Sequence, residues 1–141
     1  MNEKIKSDDK LMSILSHLAI LIPNIGILAP IVIWLTQKEK SKFVRYNAIQ
    51  AIFFQLLFFL LLMLSIFIGI ILMAVSLILT NATSGGEPGA FFWVSMVIVN
   101  FYFPLWFFFS IYAIVAAVKS YKGKIFKYLI IGKIIEKRVY K

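Results

Sequence analysis

Cysteine is absent from the sequence, so disulfides, thiolate metal sites and thiol nucleophiles are excluded at once. Histidine occurs once, as His17. The six carboxylates, Glu3, Asp8, Asp9, Glu39, Glu87 and Glu136, are scattered over polar flanks. A metal centre needs several ligands converging on one point, and a hydrolytic or group-transfer site needs a nucleophile with a base and an orienting group. Neither can be assembled from this supply, so the residues point to no catalytic site, no metal and no cofactor. Proton-coupled transport is disfavoured on the same ground, because intramembrane relays use chains of Asp, Glu or His. Charge of either sign is scarce as well, at 15% of residues against about a quarter in an ordinary soluble domain.

What the 141 residues do contain is apolar surface: 62% are hydrophobic and 16% aromatic. Three stretches free of charge, residues 11–37, 46–86 and 88–118, take up 99 of the positions. All 15 basic residues lie outside them: in the head at 1–10, in the connection that carries Lys38, Lys40, Lys42 and Arg45, and in the tail at 119–141. The net charge of +9 is therefore distributed like cytoplasmic membrane flanks, not like a nucleic-acid footprint. Although the head precedes an apolar run, no small-residue cleavage pattern follows it, and it reads as retained.

The stretch at 91–118 is long enough for one helical crossing of about 30 Å of hydrocarbon. The one at 44–80 is too long, since a helix of that length reaches about 55 Å. Its first turns hold an Arg, an Asn and a Gln, and should protrude beside the basic connection. A polar, glycine-rich turn at 81–90 joins the two. The first stretch, 11–36, is broken at Pro23, Gly26 and Pro30 into pieces too short to cross. It could pass through once as a broken helix, leaving the head outside. It could also dip in and return as a hairpin, which places every basic residue on one side as the positive-inside rule prefers. In the tail, Lys133, Lys137 and Lys141 recur every four residues and Ile131, Ile135 and Val139 do the same, the two rows about 200° apart on a helix. Such a helix should lie in the interface, its lysines near anionic lipid.

Neutral polar side chains inside the apolar stretches, His17, Asn24, Gln50, Gln55 and Asn100, have a ready use as hydrogen-bonding links between helices. Pro104 leaves the Asn100 carbonyl without a helical donor and should kink the third stretch. Small residues form two seams, Ser65, Gly69 and Ser76 on the helix of the second stretch and Ser110, Ala113, Ala117 and Ser120 on that of the third. Small residues let helix backbones approach closely in lipid, so the long helices are expected to pack antiparallel along these seams.

The run SKFVRYNAIQA at residues 41–51 resembles the signature of the twenty-kilodalton subunit of the chloroplast inner-envelope translocon and its prokaryotic relatives. The resemblance includes LSHL at 15–18, APIVIWL at 29–35, Gln55, and the tail block KGKIFKY at 122–128. It implies a four-helix membrane fold with both ends on the cytoplasmic side, and a part in protein translocation or membrane-protein biogenesis. The combined expectation is an all-α integral membrane protein of the cell membrane, with a broken N-terminal helical hairpin, two long transmembrane helices and an amphipathic tail. It would act without enzymatic chemistry, by helix packing with a membrane-protein partner or further copies of itself. Phe43, Arg45, Asn47, Gln50 and Gln55 would form the docking surface. A small oligomeric channel or carrier with amides lining a path is the alternative, and an immunity or lipid-modulating protein is a third.

Overall fold

The computed structural model describes residues 5–22, 25–83, 89–129 and 131–139. Pro23, Asn24 and residues 84–88 of the 81–90 turn lie outside the described residues. Among those described, regular structure is entirely helical.

Helix α1 spans Ser7–Leu18 and closes its first turn through Asp9, whose carboxylate accepts the Lys6 N–H at 3.0 Å. Acidic residues also suit the positive end of the helix dipole. A short 3-10 turn, Ala19–Leu21, ends the helix, and α2 follows at Leu28–Gln37. Gly26 sits in the turn between them. A Cβ there would overlap the carbonyl oxygens of Ala19 and Ile22, so no other residue fits. Pro30 is buried in the first turn of α2, where a helix has no use for the missing N–H. The two short helices pack against each other.

Helix α3 runs over Lys42–Thr83, started by Ser41, whose hydroxyl accepts the Val44 N–H at 3.3 Å. Helices α4, Ala90–Asn100, and α5, Tyr102–Tyr121, are separated at Phe101, three residues before Pro104. Pro104 has no N–H for the Asn100 carbonyl, and the break falls where that bond is missing. Gly123, with φ +66°, terminates α5. Its N–H reaches the Ser120 carbonyl at 2.9 Å, and that of Lys124 reaches Lys119 at 3.0 Å, the paired bonds of a Schellman cap. An extended segment, 124–128, then leads to α6, Gly132–Val139.

These elements divide into two compact units. One comprises Met1–Leu57 with Phe108–Lys141, the other Phe58–Phe107. In the second unit α3 and α4 run antiparallel, with the Ser95 hydroxyl 3.8 Å from the Met73 sulfur and Gly69 facing Val99, Ile98 and Ser95. A Cβ on Gly69 would come within 2.6 Å of the Val99 side chain. The two small-residue seams fall in different units. Ser65, Gly69 and Ser76 belong to the second unit, while Ser110, Ala113 and Ala117 belong to the first. Within the second unit the antiparallel register of α3 and α4 sets Gly69 against Val99.

Two helical stretches, Lys42–Asn81 and Ala90–Tyr121, are long and apolar enough to cross a membrane. Only 11% of the most apolar window of the first and 28% of that of the second is buried, whereas the core helix of a soluble protein would be mostly covered. Leu60, Phe67, Ile70, Phe103 and Phe107 are each more than 60% exposed. Apolar surface on that scale calls for a hydrocarbon solvent or a partner.

Candidate functional site

The start of α3 places Phe43, Asn47, Gln50 and Phe54 at i, i+4, i+7 and i+11, one face of a helix, and all four are buried in the first unit. His17 from α1, Ser120 from α5 and Tyr128 from the extended segment converge on them. The Asn47 amide nitrogen donates to the Phe43 carbonyl at 2.9 Å, which leaves Oδ1 as acceptor. His17 Nε2 donates to that oxygen at 3.1 Å and Ser120 Oγ at 3.3 Å. With its proton on Nε2, the imidazole presents a bare Nδ1, which accepts from the Tyr128 hydroxyl at 3.1 Å. Every member of this chain is thereby paired, as buried polar groups require.

Gln50 clamps the tail. Its Nε2 donates to the Phe126 carbonyl at 2.8 Å and its Oε1 accepts the Tyr128 N–H at 3.0 Å, so one amide takes the place of a neighbouring strand for the extended backbone. Tyr46, also on α3, donates from its hydroxyl to the Gly132 carbonyl at 3.2 Å. Aromatic rings fill the space between. Tyr128 stacks on Phe54 at 4.2 Å and Phe54 on Phe109 at 4.6 Å, with Tyr112 and Phe126 alongside Tyr128. The apolar row of α6, Ile135 and Val139, packs on Tyr46, with Ile49, Ile125 and Ile131 around it. That face is therefore covered by α3, while Lys133 and Lys137 remain exposed.

Electrostatically the cluster is neutral. His17 lies on α1, outside the two long spans. Its burial strips water from the imidazolium and pulls its pKa down to about 4, against which the Asn47 bond pulls weakly upward. Burial, and to a smaller degree Tyr112, pushes the Tyr128 phenol above its ordinary range. His17 is 1% exposed and both of its ring nitrogens are engaged. What this arrangement does chemically is hold α1, α3, α5 and the tail together.

Of the residues expected to dock a partner, Phe43, Asn47, Gln50 and Gln55 point inward, and only Arg45 remains half-exposed. Asn47 and Gln50 meet in the cluster. Gln55 Nε2 and, on α5, Ser110 Oγ are buried without a partner. Asn100 stays exposed and bonds its own helix, its Nδ2 donating to the Met96 carbonyl at 2.8 Å. Pro23 lies outside the described residues.

The family profile described as the magnetosome magnetite crystal formation protein family, MamF/MmsF, matches residues 8–135. The chain belongs to the MamF/MmsF family. No curated protein and no solved structure matches it. Membership corrects the resemblance to the chloroplast translocon subunit, which is a different family, and removes the ground for a role in protein translocation. The matched range contains the blocks on which that resemblance rested. Residues of these blocks build the aromatic–amide face of α3 and its tail clamp. Together with its two apolar helices, MamF/MmsF membership makes this a membrane protein.

Sequence reasoning noted His17 and Asn47 without joining them, and found Ser120 and Tyr128 only as parts of longer runs. Tyr128 stands 111 residues from His17. The usable signal was the lone histidine itself: a buried imidazole needs a donor and an acceptor, which makes hydroxyl and amide residues elsewhere its candidate partners.

Proposed function

We propose that this chain is a non-enzymatic, multi-pass protein of the magnetosome membrane that supports magnetite crystal formation as a structural module in a larger assembly. The observation that carries the non-enzymatic part is the closure of the His17–Asn47–Tyr128 network, in which the one histidine is sealed and paired. The family description supplies the magnetosome. In this reading both long stretches cross the bilayer and the α1–α2 pair enters and returns on the same side. Both termini, with all 15 basic residues, then face the cytoplasm. The exposed apolar surface of the spans meets lipid and either a membrane-protein partner or further copies of the chain.

Crosslinking in magnetically purified magnetosomes, followed by mass spectrometry, tests the proposal. The expected result is the protein in the magnetosome membrane, resistant to carbonate extraction and joined to another membrane protein or to itself. Absence from those membranes, or recovery only as an uncrosslinked monomer, would overturn it.

A further inference from the structure

Beside the polar cluster, on another side of α3, a groove of about 520 Å³ opens between α2, α3 and α6. Its lining is of two kinds. Trp34, Ile49, Phe53 and Ile134 supply apolar walls, and Arg45 and Arg138 supply two guanidinium groups. Among the described residues neither arginine has a carboxylate partner, since the one ion pair there joins Lys127 to Glu136. Arg45 Nε and Trp34 Nε1 are buried donors with no acceptor. Lys38 adds a third cation, its Nζ 5.4 Å from the Trp34 ring centre.

The geometry points to a binding site for one anionic phospholipid, its phosphate between Arg45 and Arg138 and an acyl chain along Ile49 and Phe53. The order of chemistry along α3 argues for this occupant. Arg45 is in the first turn, next to the basic connection that must stay at the water boundary. Ile49 and Phe53 follow about 6 Å and about 12 Å deeper into the span. A phospholipid presents anion and hydrocarbon in that sequence and over that range. Buried unpaired N–H donors cost free energy unless an acceptor meets them, and a phosphate offers several. A second copy of this chain, with its net charge of +9, would bring more positive charge to the two arginines. Free phosphate would leave the apolar wall uncovered.

Trp34 is the natural reporter. In a background of Trp93→Phe and Trp106→Phe, the full chain in phosphatidylcholine nanodiscs is titrated with brominated phosphatidylglycerol or brominated phosphatidylcholine, and Trp34 quenching is read. Phosphatidylglycerol should half-quench at a mole fraction lower by about tenfold or more, as two cations near an anionic headgroup imply. Arg45→Gln with Arg138→Gln should abolish the preference, Lys133→Gln with Lys137→Gln should leave it, and millimolar phosphate should not reverse it. If circular dichroism shows the double arginine variant unfolded, Arg138→Gln alone, on an exposed side chain, serves for the comparison. Equal quenching by both lipids would overturn the site, as would a preference that survives loss of the arginines. Equal sensitivity to the tail lysines would reduce it to diffuse surface charge, reversal by phosphate to an anion site, and dependence on protein concentration to a dimer groove; each of these rejects the proposal.

Discussion

Asn47 and Asn100 carry the same side chain in opposite circumstances. Asn47 is buried and its oxygen accepts from both His17 and Ser120, whereas Asn100 is exposed and bonds only its own helix. Asn47→Leu leaves two buried donors without an acceptor, and should cost about 2–4 kcal/mol. Asn100→Leu should cost less than about 0.5 kcal/mol. Denaturant unfolding in detergent micelles, followed by circular dichroism, checks both. His17 gives a pH dependence of definite sign. Its pKa is about 4 in the folded chain and 6.5 when free, so the unfolded state binds more protons between those values. Stability contributed by this site is complete above about pH 6.5 and is lost as pH falls toward 4, by ~3 kcal/mol in all. His17→Gln should flatten the pH profile in that window, measured as the unfolding midpoint in the same micelles. At this scale the sequence was legible for residue type and not for pairing. Nothing near Asn47 in the chain indicates that its partners sit 30 and 73 positions away.

Elements were more legible where local chemistry sets them. The break of the first apolar stretch around Gly26 and Pro30, and the interruption of the third before Pro104, follow from backbone sterics and missing donors, which act over a few residues. The tail was less so. Its hydrophobic period marks an amphipathic helix, but a period cannot say whether lipid or protein covers the apolar face, and here Tyr46 on α3 does. The extended segment at 124–128 owes its backbone pairing to Gln50, more than 70 residues earlier, and leaves no local trace. Gly132 is the point where this docking is tightest. A Cβ there would lie 2.8 Å from Lys127 Cα and 3.0 Å from Gln50 Oε1, and the carbonyl of Gly132 also accepts the Tyr46 hydroxyl. Gly132→Ala should therefore loosen α6 and lower stability by about 1–3 kcal/mol, although alanine favours a helix elsewhere. Faster amide exchange over residues 124–139, with exchange in α4 unchanged, is the expected signature.

For the whole molecule, membrane character was written in composition and in the segregation of charge. The family was not: the blocks that suggested a translocon subunit lie within the range that matches MamF/MmsF. The charge distribution still makes a definite topological demand: accessibility tags at the two ends should report the same, cytoplasmic, face of the membrane, and a tag in the 81–90 turn the opposite one. The central claim of the proposed function is that this helical module, built around a sealed and neutral cluster, serves magnetite formation by its structure. The most direct measurement is the distribution of crystal dimensions, by electron microscopy, in a magnetosome-forming strain from which the gene is deleted. Deletion should shift the distribution; the wild-type chain and Asn100→Leu should restore it, and Asn47→Leu should not. Crystals unchanged by the deletion, or full restoration by a chain whose His17–Asn47–Tyr128 network has been dismantled, would contradict the account.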